Sequence, residues 1–332
     1  MLAYIIRRLV MLIPILFLIS VVSFFVIELP PGDWVSNYIS NLRTSGIELQ
    51  QGEAERLTKM YGFDQPTYVR YLRWMTGIVT RGDFGWSFQW SKPVNDILRE
   101  RLPLTIAVSL FALFVSWIIA IPIGIYSATH PYSIIDYIAT FLGFIGLATP
   151  GFLLAYVLIW VAFRYFNFSA LGLYSSAFLD APWSFAKFLD MIKHLILPTI
   201  LIGLPGAGST IRVMRANLLD ELKKQYVITA RAKGLSEMRI LFKYPVRLAF
   251  NPLFSTIVWL LPALFSGEAL ISIVLSLPSI GPILLRATLA QDMYLTGSIV
   301  FILSTLTVIG SLLSDIYLAW SDPRIRYEGT SK

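Results

Sequence analysis

The chain has no cysteine, and its only histidines are His130 and His194, far apart in sequence. Disulfides and thiolate metal sites are therefore excluded, and no cluster of imidazole ligands is available. A catalytic centre needs a nucleophile, a base and a stabiliser converging on one point; no such set is legible, so an enzyme reading is set aside. Charge is scarce as well. Charged residues make up 14% of the 332 positions against 56% hydrophobic ones, and the mean hydropathy is +0.68. So much apolar surface cannot be hidden in one water-soluble core, and much of it must face lipid. The net charge of +7 would point to nucleic acid in a soluble protein. Here the basic residues flank apolar runs, where they fix topology, and no nucleic-acid partner is expected.

An apolar run of about 20 residues crosses the hydrocarbon core as a helix. The first, Leu9 to Ile27, follows Arg7 and Arg8 and lacks a small-residue cleavage pattern, so it reads as a retained helix with a cytoplasmic amino terminus. Further runs lie at Leu104 to Thr129, Tyr137 to Phe163, Leu195 to Ile211 and Tyr294 to Trp320, with kinks expected at Pro198 and Pro205. Between Phe250 and Leu285 the only charge is Glu268. One long helix there, broken after Leu277, gives six spans and leaves Arg324 and Arg326 on the same side as Arg7 and Arg8, as the positive-inside rule asks. The expected fold is an all-α polytopic integral membrane protein of six transmembrane helices, both termini cytoplasmic, with a large extracytoplasmic loop after helix 1. Its expected divisions are 1–29 (amino-terminal tail and helix 1), 30–103 (loop domain) and 104–332 (helices 2–6 with a cytoplasmic segment at 218–247). The loop reads as a cap packed on the helices rather than a ligand-recognition module, with Trp34, Trp74, Trp86 and Trp90 at the outer membrane interface.

Residues 212–247 hold nine Lys or Arg against three acids. Such a block can be an anchor for anionic lipid or a docking element for a soluble partner. Its internal organisation favours docking. A helix is expected over Asp220 to Lys233, Gly234 can close it in a left-handed cap, and Ser236 can open a second helix with Glu237 in its first turn. The small residues Ala230, Ala232 and Gly234 would let a partner's groove come close to the backbone. Two other strings are decoys. Gly203-Leu-Pro-Gly-Ala-Gly208 has a phosphate loop's glycine spacing but puts Ser209 where the lysine must be, inside a span. Asp83-Phe84-Gly85 copies a kinase tripeptide without the other kinase elements.

The string Thr229-Ala-Arg-Ala-Lys-Gly-Leu-Ser-Glu237 resembles the cytoplasmic coupling motif of ABC importer permeases of the dipeptide and oligopeptide class. The likeness extends over nearly the whole chain: Tyr4-Ile-Ile-Arg-Arg-Leu9, Gly62-Phe-Asp-Gln-Pro66, Tyr71-Leu-Arg-Trp74, Gly82-Asp-Phe-Gly-Trp-Ser87, Arg101-Leu-Pro103, Ala148-Thr-Pro150 and Asp322-Pro-Arg-Ile-Arg326 occur in that class's order. The large loop after the first helix resembles that of the first of the two permeases in such systems. The resemblance implies a location in the cytoplasmic (inner) membrane among lipid, a second homologous permease, two cytoplasmic ATP-binding subunits that hold ATP and Mg2+, and an extracytoplasmic solute-binding protein. No cofactor is expected in this chain itself. It implies coupling to the ATPases through Thr229, Ala230, Arg231, Ala232, Lys233, Gly234, Ser236 and Glu237. Departures from the class are Ile228 where glutamate is common, Tyr244-Pro-Val-Arg247 in place of a hydrophobic-Leu-Pro ending, and Ser272 where a fifth-helix glutamate is common, with Glu268 one turn earlier. An intramembrane carboxylate is costly against lipid. Trp259, Ser266, Glu268 and Ser272 are accordingly candidates for lining the pathway or meeting the second permease, and for Glu268 both roles stand open. The cargo implied is oligopeptides or dipeptides, with oligosaccharides open because the charge has moved. The competing class is a self-sufficient secondary transporter or channel; its internal repeats and paired intramembrane charges are not found.

Overall fold

The computed structural model describes residues 2–45 and 52–321, with side chains at 2–4, 54, 61, 256–266 and 321 outside the description. The tail from Asp322 to Arg326 therefore falls outside it. The elements are α1 (Leu2–Glu28), α2 (Trp34–Thr44), α3 (Glu53–Tyr61), α4 (Thr67–Arg81), a short antiparallel pair β1 (Trp86–Ser87) and β2 (Lys92–Pro93), α5 (Val94–Thr129), α6 (Ile134–Ala148), α7 (Gly151–Phe166), α8 (Phe185–Leu222), α9 (Gln225–Ala232), α10 (Glu237–Lys243), α11 (Pro245–Ala249), α12 (Asn251–Val274), α13 (Ile280–Leu289) and α14 (Met293–Ser321). The fold is α-helical, as expected. Among the described residues four helices are long and apolar enough to cross a membrane: α1 over Ile5–Glu28, α5, α8 and α14. The pair α6 and α7 makes a fifth if taken as one span, and α12, 24 residues long, lies on the remaining expected run.

One expectation about helix continuity changes. The run from Tyr137 to Phe163 is not one helix: it breaks at Thr149 and Pro150, and its halves meet at 112°. Proline pushes the residue before it out of the helical region, and Thr149 sits at φ −95°, ψ 126°. By contrast α8 runs uninterrupted for 38 residues through both Pro198 and Pro205.

The chain separates into two compact units. One comprises Ile6–Leu104 and Ser279–Leu306, so the segment drawn as 30–103 shares its core with residues far along the chain. That core joins Val94, Ile97 and Leu98 of α5 to Ile280, Ile283 and Ala287 of α13 and to Leu295 and Ile299 of α14. The charged residues Asp96, Arg99, Glu100 and Arg101 do not stop the helix, so α5 starts well before the apolar run at Leu104. Trp34 and Trp74 are 8% and 3% exposed, which corrects their placement at the lipid interface. Trp34 stacks on Tyr38 with centroids 5.0 Å apart. Trp74 packs among Phe24, Tyr71 and Met293 and donates its indole N–H to the Phe84 carbonyl at 3.2 Å. Trp86 is exposed and Trp90 partly buried. Arg70 bridges to Glu28 at the end of α1.

Asp292, fully buried before α14, fastens the hairpin in this unit. It accepts hydrogen bonds from the Ser87 hydroxyl at 2.6 Å, the Gln89 amide at 3.0 Å and the Leu295 amide at 3.3 Å. Burial pushes its carboxyl above the usual aspartate range, and these donors oppose the shift without cancelling it. A raised folded pKa means that the folded unit binds the proton more tightly than the unfolded chain. This group's contribution is therefore complete in acid and is lost as pH climbs through the folded pKa. Asp292→Asn should flatten that pH dependence. It should also cost about 1–3 kcal/mol at neutral pH, because the amide nitrogen would face donors left without an acceptor. Thermal unfolding followed across pH checks both expectations.

The other unit comprises Met1–Ile5, Thr105–Pro278 and Thr307–Lys332. Its densest packing is α6 on α8, where Gly143 and Gly208 place backbone on backbone. The base of α8 packs Met214 and Leu218 against Val246 and Ala249 of α11 and Leu253 of α12, which seats the polar segment that follows α8 on a fixed support.

Candidate functional site

The segment expected as one helix from Asp220 to Lys233 is divided. Backbone bonds from the Lys223 amide to the Asp220 carbonyl (3.4 Å) and from Lys224 to Glu221 (3.2 Å) close α8, and Lys224 turns extended at ψ 152°. The Glu221 carboxylate draws the chain around by accepting from Lys224 Nζ at 2.6 Å and from the Tyr226 hydroxyl at 2.7 Å. Burial together with the adjacent Glu221 charge raises the Tyr226 phenol far above its ordinary range, so it stays a donor. From there α9 runs to Ala232.

The exit from α9 has the bond pattern that a left-handed cap requires. The Leu235 amide donates to the Ala230 carbonyl at 3.3 Å and the Gly234 amide to Arg231 at 2.9 Å, with Gly234 at φ +77°. Leu235 then folds onto a small core of Val227, Ala230 and Ile240. Ser236 stands before α10 with extended backbone, but its side chain makes no capping bond. The turn is held instead by Arg231, whose Nε and Nη2 donate to the two Glu237 oxygens at 2.7 and 3.0 Å. Each holds the other charged: the pair lowers the Glu237 carboxyl and raises the Arg231 guanidinium.

Of the eight residues singled out on this segment, seven are exposed: Thr229, Arg231, Ala232, Lys233, Gly234, Ser236 and Glu237. Ala230 is buried: it belongs to the helix pair's own small core. Arg231 and Glu237 lie on the surface but are committed to each other. A Cβ built on Gly234 meets no atom within 4 Å, and the turn presents bare backbone to its surroundings.

Sequence reasoning missed an exposed apolar set on this segment: Ile228, Met238, Phe242, Tyr244 and Leu248. The four-residue spacing of Met238 and Phe242 on α10 was a usable signal for one stripe. Next to it is an open groove of about 450 Å³ lined by Tyr226, Thr229, Ala230, Lys233, Leu235, Tyr244 and Leu248.

In α12, Glu268 and Ser272 are 1% and 0% exposed. The structure brings these two together: the Ser272 hydroxyl donates to Glu268 Oε1 at 2.5 Å, one helical turn away. The Ser272 carbonyl accepts from the Leu277 amide at 2.9 Å, where the helix ends. The side chains of Trp259 and Ser266 lie outside the described residues. Among the described residues no three His, Asp or Glu side chains gather into a metal-binding group.

Several bilayer-length apolar helices joined by a structured polar elbow define a multi-pass helical membrane protein. Comparison with known families goes further, and the chain belongs to the binding-protein-dependent transport system inner membrane components, whose family model matches residues 120–327. The model of the N-terminal part of such membrane components matches residues 1–109. Among its relatives, the chain is 34% identical to the oligopeptide transport system permease protein AppB of Bacillus subtilis, over 98% of this chain and 100% of that protein. It is 32% identical to the peptidoglycan transport system permease protein YejB of Agrobacterium fabrum, over 98% of each. It is 30% identical to the inner membrane ABC transporter permease protein YejB of Escherichia coli O157:H7, over 98% of this chain and 99% of that protein. The chain is thus an inner-membrane transport permease.

Proposed function

We propose that this chain forms half of the pathway of an ATP-driven importer of oligopeptides or dipeptides. It works with a second homologous permease, two cytoplasmic ATP-binding subunits and an extracytoplasmic solute-binding protein, and both of its termini lie in the cytoplasm. The peptide cargo is carried over from the names of its relatives; the oligosaccharide alternative has no such support. ATP and Mg2+ belong to the ATP-binding subunits, and this chain contributes no hydrolytic group. The observation that carries the coupling role is the helix-turn-helix of α9 and α10. It is stiffened by a hydrogen-bonded glycine cap and the Arg231–Glu237 clamp, and its turn offers bare backbone with open space around it. Force applied there by closing ATPases passes through packed side chains into α8, α11 and α12, moving them as bodies.

Reconstitution provides the test. Proteoliposomes holding both permeases and the ATPases should take up peptide only when ATP and the binding protein are both supplied. Uptake driven by an ion gradient through this chain alone would overturn the proposal in favour of a secondary carrier.

A further inference from the structure

The surface that would be gripped also has a receptacle of its own. Resting on the coupling role just proposed, we infer that the groove between α9 and α11 receives an apolar or aromatic side chain with a carboxylate beside it, presented by the ATP-binding subunit. The shape comes first. The groove holds about 450 Å³, within the range of about 300–1,000 Å³ typical of sites that take a small molecule or a few side-chain groups. Ala230 keeps it open, because a longer side chain at that lining position would fill it. Tyr226 and Tyr244 form aromatic walls, their rings edge to face at 6.2 Å. The Tyr226 hydroxyl is already bonded to Glu221 at 2.7 Å, so the ring has only its apolar surface to offer. Leu248 stands on the rim at 44% exposure. Apolar walls left in water are unfavourable and gain from being covered.

Charge selects the occupant. Glu221 is taken by Lys224 and Glu237 by Arg231. Lys223, Lys233, Arg239 and Arg247 are exposed, and none of them has an ion-pair partner among the described residues. Lys233 lines the groove itself. A partner that buries a hydrophobic knob there gains by carrying an acid next to it. An anionic membrane would satisfy the charges equally well but has no need of a cleft of fixed shape with aromatic walls, so a protein segment is favoured.

The chain's lack of cysteine permits a direct test with single thiols, Leu248→Cys at the groove rim and Ala232→Cys on exposed α9 away from it. Both permeases are placed in nanodiscs of neutral lipid, with and without the ATP-binding subunits, and in nanodiscs of anionic lipid without them, and maleimide labelling rates are measured. At nine-tenths occupancy of the complex both thiols should label about tenfold more slowly. Lys233→Glu should weaken association by about tenfold or more, and high salt should shrink the difference. Protection at position 232 with position 248 labelling freely would remove the groove and leave the docking role standing. Protection at 248 by anionic lipid without the ATP-binding subunits would assign the groove to the membrane and overturn the proposal. If both thiols stay reactive in an assembled complex, the docking role fails along with it.

Discussion

Replacing Gly234 by tryptophan should abolish association with the ATP-binding subunits while leaving membrane insertion intact. The backbone at Gly234 lies at φ +77°, a conformation that costs an L-residue on the order of 1–2 kcal/mol. Nothing within 4 Å would obstruct a side chain, so the cost inside this chain is conformational and modest. A partner that closes over the turn would meet an indole where it needs bare backbone. Gly234→Ala carries the same conformational cost with almost none of the bulk, and it should retain most of the association. Co-purification of the ATPases from detergent, with membrane insertion measured in parallel, separates the two effects. Normal co-purification of the tryptophan variant would remove residues 229–237 from the docking surface.

The second large effect is on folding. A Cβ at Gly208 would come within 2.7 Å of the Gly143 Cα and 3.0 Å of its carbonyl oxygen. Both are backbone atoms, so no rotamer change can relieve the clash and α6 must move away from α8. Close approach through small residues is a main source of helix association in lipid, where the hydrophobic effect does not drive helices together. Gly208→Ala should therefore cost about 1–3 kcal/mol, as overpacking of tight interiors does, and Gly208→Leu should prevent accumulation of folded protein. Recovery of monodisperse protein and its thermal midpoint in detergent report the outcome. A leucine variant that accumulates and melts like the parent would show that the crossing tolerates separation.

That same glycine shows what the sequence makes legible and what it hides. Gly203-Leu-Pro-Gly-Ala-Gly208 lies inside the continuous helix α8 and forms no phosphate loop, but its packing role is invisible in the sequence because it depends on which helix crosses it. Gly143 is 65 positions earlier, and only the fold sets the two together. Apolar run length revealed the spans because the bilayer imposes that length, and Thr149 and Pro150 broke one of them because proline acts locally on the residue before it. Charge density and the placement of Gly234 revealed a polar segment after α8 and its turn. The division after Leu222 was not legible, since it rests on Glu221 choosing Lys224 and Tyr226 as partners. Trp34 and Trp74 looked like interfacial residues because tryptophan composition alone does not distinguish a membrane belt from a core.

The uninterrupted course of α8 has a mechanical consequence. At 1.5 Å per residue its 38 residues make a rod about 57 Å long, against a hydrocarbon thickness of about 30 Å. Whatever pushes on its end at Leu222 therefore pushes on a single piece of helix whose other end lies at Phe185, with no intervening coil to absorb the stroke. A displacement at the base would be carried along that one helix, and Pro198 and Pro205, which lack an amide to donate, are the points where it can bend.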